Sequence, residues 1–600
     1  MRSLVVTLSL LLVTGAACPK KDPAVDVRAP STVTSAPVDT GAPGAPTPDD
    51  APTFAPTSTG ARALVLYTAS VEGYVTPCGC TSEPLGGVAR LAGTFEEARA
   101  AYGERVFFVD GGDLLFERAS DTLPADRCQA EARHALLVDT YARMGLVGTV
   151  LGAKDDVRGP AWRDRLLAAR AIPTLDAAGP SRALVEGAVH QSGRLVTRGG
   201  VSLGFSGFTW SLADDVDEPT RAAAIEVERA ALAREATRLM KEGALAVVVV
   251  AQAPRTITER VVRDLADVDV VIQGRAPGET PVAPVRAGER GPVVVASGMQ
   301  AQHLGVLEFS LDGRAPGVAL ALDDRAGEAE RRKKLLDVRI AKYEQSLVGA
   351  EAGARRAFVE EKLARAKEER GRVLTDAAKA PAPEGPHVRA RAIALTRRRS
   401  EEKTAQAALQ AYEESIPTLT ATCEQDVTCE EPAKGAAVYV GVEACFMCHK
   451  DAVKFWRAQR VTQPGTDKQG NPVTRTLGHS KAWQTLVDDK KERDRECVGC
   501  HSVGFNVPGG YCRTADVDFR TDVQCESCHG PGSLHVENGD PARIVSAGIT
   551  ESTCRACHHV PHIPTTESFV FDDKLTHVLG PGHGQQRYDA LMKARAAAPR

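Results

Sequence analysis

The chain has 600 residues, 43% of them hydrophobic, and 74 Lys and Arg against 78 Asp and Glu give a formal net charge of −4. This length and apolar fraction fit two or more globular domains. The near-balanced charge, spread over both signs, gives no footprint for nucleic acid.

The first eighteen residues have the layout of an export signal. Arg2 is followed by an apolar run from Leu4 to Val13 and by Gly15-Ala16-Ala17-Cys18, a run too short to span a bilayer as a stable helix. Cys18 after small residues suggests an acylated cysteine and a membrane attachment through an N-terminal lipid anchor. Gly15 stands where a lipobox usually has Leu, so simple cleavage to a soluble periplasmic form is the alternative. Residues 19–60 are a Pro, Thr, Ala, Ser, Asp and Gly tether with almost no large apolar side chains, unable to bury enough surface to fold.

From 61 to 324 strands and helices alternate. Strands are expected at Leu64–Tyr67, Val106–Val109, Val147–Leu151, Val201–Phe205, Leu245–Val250, Val268–Ile272, Val293–Ala296 and Val306–Leu311, with a helix over Thr220–Glu242; this is the pattern of a layered α/β domain. Several of its turns resemble, in order and spacing, the metal-dependent phosphoesterases of the 5′-nucleotidase type. Tyr67 to Gly73 stands where that family has T-N-D-x-H-G, Gly86-Gly87-Val88-Ala89-Arg90 is similar to its GG-x-A-R, and Asp110-Gly111-Gly112-Asp113 to its D-x-G-D. Gly152 to Asp155 stands where it has G-N-H-E, Ala251-Gln252-Ala253 near its single-histidine loop, and Gln273-Gly274-Arg275 where it has GGH. The resemblance implies a calcineurin-like phosphoesterase sandwich, with most ligands lost. Ser70 and Glu72 replace the metal-binding Asp and His, Ala153 and Lys154 the Asn and catalytic His, and Arg275 the late histidine; only Asp113 remains. One aspartate cannot hold a two-metal centre. The domain is therefore expected to be inactive as a hydrolase and to serve docking or ligand binding, with a nucleotide or phosphate-ester hydrolase built on a new metal site as the alternative.

Cys78 and Cys80 flank Gly79 directly after the first of these turns. One of them could bridge to Cys128, or the two could bind an additional soft metal or act as a redox site. Residues 325–435 read as a connector. Leu336, Ile340, Tyr343 and Leu347 form one stripe, and Val359, Leu363 and Ala366 another, across Gly349 and Gly353, the pattern of a helical hairpin. A strand around Val388–Leu395 and a helix over Glu401–Glu414 follow. The charge on this segment reads as a solvated face, with a docking surface for a redox partner as the alternative. Cys423 and Cys429 are expected to form a local disulfide.

The segment 436–600 holds four C-x-x-C-H motifs: Cys445/Cys448/His449, Cys497/Cys500/His501, Cys525/Cys528/His529 and Cys554/Cys557/His558. Two thiols three residues apart reach the two vinyl groups of one porphyrin, and the imidazole that follows falls under the iron. Four covalent haem c groups are expected. A pair of four-cysteine zinc sites would leave the histidine after every pair unexplained.

The run Leu477 to Trp483, the stretch Cys497 to Phe505 and the stretch Val523 to Gly532 resemble the tetrahaem cytochrome c-554 family of the hydroxylamine pathway. That resemblance implies a mainly α or irregular fold with haem macrocycles in its interior, relay of electrons to redox partner proteins, and one five-coordinate haem in the family; a multihaem oxidoreductase acting on a small nitrogen compound is a further alternative. Six histidines remain for sixth positions. His479 is the leading distal ligand because its surroundings match the family, His535 and His577 come next, His559 and His562 compete for one iron, and His583 is left unassigned.

Overall fold

The computed structural model describes Phe54 and residues 60–77, 84–117, 123–179, 185–275, 281–289, 291–315, 318–347, 353–381, 383–459, 461–466, 472–545, 548–558 and 569–597. The signal, Cys18, the tether apart from Phe54 and Gly60, Cys78, Cys80, His559 and His562 lie outside them. The chain divides into two compact units, one built on residues 52–415 and the other on residues 416–600 apart from 560–565. None of the described helices is long and apolar enough to cross a membrane.

The first unit is built on fourteen strands: β1 (Arg62–Thr68), β2 (Val106–Asp110), β3 (Leu146–Thr149), β4 (Thr174–Leu175), β5 (His190–Gln191), β6 (Gly193–Arg198), β7 (Val201–Thr209), β8 (Ala246–Gln252), β9 (Val270–Gln273), β10 (Val282–Arg286), β11 (Val293–Ala296), β12 (His303–Ser310), β13 (Ala321–Leu322) and β14 (His387–Ala394). They form an eight-stranded sheet in the order β13-β14-β12-β1-β2-β3-β4-β5 and a six-stranded sheet in the order β10-β11-β9-β8-β7-β6. β1, β2 and β3 run parallel, as do β7, β8, β9 and β11.

The unbroken apolar runs follow from burial on both faces. Along β8, Ala246, Val248 and Val250 join Val65, Phe107, Phe205 and Leu307 in the core between the sheets. The alternate residues Val247, Val249 and Ala251 pack with Leu232, Leu239 and Val261 from the helices Glu218–Lys241 and Arg255–Val262. The period-2 alternation thus loads two cores at once. All eight expected strands are present. β14 pairs along β12 from His303–Ala394 to Ser310–His387, so part of the connector completes the first sheet.

The hairpin consists of helices Arg325–Leu347 and Ala354–Lys379, packed through Leu336, Ile340 and Ala366. Its charges largely answer one another across the pair, as in Lys367 Nζ to Glu344 at 2.7 Å and Arg332 Nε to Glu369 at 2.8 Å. The helix Lys403–Glu424 then leads into the second unit.

In that unit the local Cys423–Cys429 disulfide is not formed. Cys429 bonds to Cys512, 83 residues away, and Cys423 is engaged in a separate disulfide. A buried carboxylate brings the distant segments together. Glu424 accepts from Arg495 Nη1 at 2.6 Å and from Thr514 N at 2.9 Å, with both charged side chains at most 5% exposed. Removing one partner would strand the other charge in the interior. Short helices and turns make up the remainder, with one hairpin of Val461–Thr466 against Pro472–Leu477.

Non-reducing peptide mapping is expected to recover Cys429 linked to Cys512. Cys512→Ser is expected to cost the unit about 2–4 kcal/mol, read as a lower denaturant midpoint.

Candidate functional sites

In the first unit, the turns after β1, β2, β3, β8 and β9 converge at the carboxyl ends of parallel strands, where α/β sheets place their sites. Three non-glycine residues there have left-handed backbone: Ser70 (φ 46°), Glu72 (φ 57°) and Asp113 (φ 49°). Such conformations are held only when the surroundings over-determine them. The Ser70 hydroxyl donates to Gly274 O at 3.0 Å. Asp113 accepts from Lys154 N at 3.0 Å and from Gln252 Nε2 at 2.5 Å. Lys154 Nζ pairs with the buried Glu72 carboxylate.

Behind them, Asp155 accepts from the backbone N–H groups of Gly152, Asp113, Leu114 and Leu115 at 2.8–3.0 Å. Asp110 accepts from Thr68 and Thr149 hydroxyls, each at 2.8 Å. Burial raises the Asp155 carboxyl above its ordinary range, with Asp113 adding to it. Burial likewise pushes Glu72 up to about 7, against the lowering effect of Lys154.

The residues matching the lost ligands are therefore brought together, but as a closed network of hydrogen bonds around one ammonium. Among the described residues, no three His, Cys, Asp or Glu side chains gather as a metal-holding group. Arg275 is exposed at its edge. The role of Gln252, donor to the one retained aspartate, is not evident from its surrounding Ala-Gln-Ala sequence.

In the second unit, each motif begins or lies within a short helical turn: Val442–Phe446, Arg495–Val498, Cys525–His529 and Glu551–Arg555. The thiols meet across motifs. Cys445 lies against Cys525 and Cys500 against Cys557, and Cys528 and Cys554 are close enough to act on each other electrostatically. Burial pushes the Cys528 thiol up to about 11. Seven of the eight motif cysteines are outside any disulfide. Cys448 is disulfide-bonded, so attachment there requires that thiol to be reduced first.

Three motif histidines face a second imidazole. His449 and His535 have ring centroids 6.1 Å apart and planes 24° apart. His479 and His558 are 6.0 Å and 51° apart, and His529 and His583 are 6.0 Å and 77° apart. Metal–imidazole bonds of about 2.0–2.1 Å, with each ring centre roughly 1 Å behind the bonding nitrogen, put two rings on opposite faces of one metal with centres about 6 Å apart. The residues present therefore fit three irons held by paired imidazoles.

For two of these rings, and for His501, the Nδ1 nitrogen is already occupied. Nδ1–H of His535 donates to Asp540 O at 2.9 Å, that of His583 to Val578 O at 2.8 Å, and that of His501 to Ala482 O at 2.5 Å. This fixes the tautomer that leaves Nε2 for a metal. Burial, with His558 beside it, lowers His479 to about 4, which keeps the ring neutral, as ligation requires.

Of the histidines expected from sequence as distal ligands, His479 stands beside His558 and His535 beside His449, and His577 is exposed in the turn after the helix Phe571–Leu575. The loop closed by Gly580 and His583 turns His583, left unassigned in sequence, onto His529; the turn at Pro581-Gly582 is the sequence signal that could have pointed to it. Among the described residues no imidazole faces His501 at the 6 Å spacing. A small core of Trp483, Leu486, Val498 and Tyr511 packs beside it, with Cys497 and Phe505.

Residues 444–530 match the family model for cytochrome c554 and c-prime. Cytochrome c-554 of Nitrosomonas europaea is 30% identical over 122 residues, which are 19% of this chain and 45% of that protein. The chain thus spans less than half the length of this curated relative. Solved structures that align with the chain include a 5′-nucleotidase precursor from Thermus thermophilus, with 16% identity, TM-score 0.38 and coverage of 70% of this chain and 73% of that one. An NAD nucleotidase from Haemophilus influenzae aligns at 12% identity and TM-score 0.38, covering 63% of each chain.

Because the Glu72 carboxyl is raised above its unfolded value, its protonated form favours folding. That contribution is fully present below about pH 4.5 and is lost as pH rises through about 7. Glu72→Gln is expected to flatten the pH dependence of first-unit stability across this window by on the order of 2 kcal/mol, read from denaturant midpoints at pH 5 and pH 8.

Proposed function

We propose that this chain is an exported tetrahaem c-type cytochrome that relays electrons between redox partners, held at a membrane by a lipid on Cys18, with a first unit that no longer hydrolyses phosphate esters. The observation that carries the reading is the set of three imidazole pairs at 6.0–6.1 Å, each joining a C-x-x-C-H histidine to one outside the motifs. A zinc reading gives no account of these pairs, since four thiolates would complete each zinc.

Haem bound at these motifs supplies one-electron carriers, and paired imidazoles keep such an iron closed to substrates. The protein's own part is to fix the carriers. His535, His583 and His479 stand opposite His449, His529 and His558, so one face of each of those three sites is filled by protein. The thiol contacts order the motifs as second, fourth, third and first, which supports a single line of transfer through the unit. Their closeness suits passage of electrons without side-chain relays.

A second reading is favoured by one observation, the lack of a facing imidazole at His501 among the described residues. An iron there would be open to a small ligand, as in an oxidoreductase acting on a small nitrogen compound. Carbon monoxide is expected to bind one haem equivalent in the reduced protein; no binding removes this second reading and leaves the relay.

The hydrolase alternative is opposed by Lys154, whose ammonium occupies the charge balance that a divalent cation would otherwise supply between Glu72 and Asp113. The full chain is expected to give no manganese- or zinc-stimulated release of phosphate from nucleoside monophosphates. Turnover lost on Asp113→Ala would contradict this.

A pyridine haemochrome assay after expression with c-type haem maturation is expected to give four covalent haems per chain. Two or fewer would contradict the proposal. His583→Ala is expected to add one ligand-accepting haem while all four stay attached.

A further inference from the structure

Glu526 lies inside the third motif, between Cys525 and Cys528, yet its carboxylate serves the first. It is 4% exposed. Val440 N donates to both of its oxygens at 3.1 Å, and Gly441 N to Oε2 at 2.7 Å. Gly532 N donates to Oε1 at 2.7 Å. A buried carboxylate that accepts from three backbone N–H groups is a strong and directional tie.

The tied segments have distinct duties. Gly441 caps the helix Val442–Phe446 that opens the first motif and leads to His449. Gly532 caps the helix Ser533–Asn538 that carries His535. The two faces of the first iron site are thus supplied by segments joined through one side chain. Ser533 reinforces the joint, its N–H donating to Val438 O at 3.2 Å and its hydroxyl accepting from Val438 N at 2.9 Å. On the other side of Cys525, Gln524 Oε1 accepts from Val442 N at 2.7 Å.

We propose that Glu526 is a positioning residue for the first haem: by binding Val440 and Gly441 with one side and Gly532 with the other, it sets the gap between His449 and His535. The inference rests on the reading of those two rings as ligands to one iron. Glutamine in its place turns an amide NH2 toward backbone N–H groups that need an acceptor, so one of the two segments loses its partner. The expected consequence is a displaced His535 rather than a lost haem, because attachment depends on the thiols. Outer partners of this kind orient ligands while never touching the metal themselves.

The test uses the full chain, matured with haem, as Glu526→Gln, His535→Ala and the double variant. Haem count by pyridine haemochrome comes first, since two or fewer in the wild type overturns the cytochrome reading and not this inference alone. With four haems retained, Glu526→Gln is expected to add about one carbon-monoxide-binding haem equivalent over wild type, and the double variant no more than His535→Ala alone, as for residues acting on one site. A wild-type spectrum with unchanged carbon monoxide uptake overturns the proposal, and so does uptake in the double variant that exceeds that of His535→Ala. If Glu526→Gln does not accumulate as folded protein, Glu526→Asp, whose carboxylate is drawn back by one methylene and cannot reach both segments, is read against the same two outcomes.

Discussion

The proposed reading of the second unit depends on imidazoles held in pairs with ring centroids 6.0–6.1 Å apart. Three pairs at 6.0–6.1 Å come from histidines as far apart in sequence as His479 and His558. No local rule brings such residues together. Buried polar ties join distant segments of the unit: Glu526 links Val440 and Gly441, ahead of His449, to Gly532, ahead of His535, and Glu424 links to Arg495 and Thr514. With a hydrophobic core as small as the Trp483 cluster, these carboxylates do the positioning that apolar packing does in a larger domain.

The first unit reaches a similar economy by a different route. Its two sheets bury continuous Val and Ile runs, a framework that tolerates change at the strand ends. At those ends the charge that metal ions would carry in a phosphoesterase is supplied by Lys154 beside Glu72, and the space is closed by Ser70 on Gly274 and Gln252 on Asp113. Such a framework can carry different chemistry at its strand ends, as fold and function are separable.

Most of the fold was legible because its signals are local. Apolar runs marked every strand expected in the first unit, and the heptad-like stripes marked the hairpin. The motif cysteines and histidines stand out by spacing alone, and His479 and His535 were singled out from their neighbouring residues. What sequence could not supply was long-range pairing. Cys429 is six residues from Cys423 but bonds to Cys512, because the Glu424–Arg495 pair carries the whole segment across. That His583 stands beside His529 was not legible, because the turn that brings it there has no helical or strand pattern to announce it. β14 looked like part of a connector because its partner, β12, lies beyond the intervening hairpin.

The ring planes offer the most direct test. In low-spin ferric haem, near-parallel imidazoles give a rhombic EPR signal and crossed imidazoles a highly anisotropic one. The account predicts, for the oxidised full chain, three low-spin haems, including a rhombic signal from the His449–His535 pair at 24° and an anisotropic one from the His529–His583 pair at 77°. A spectrum in which high-spin haem predominates would contradict the pairing of imidazoles on which the account rests.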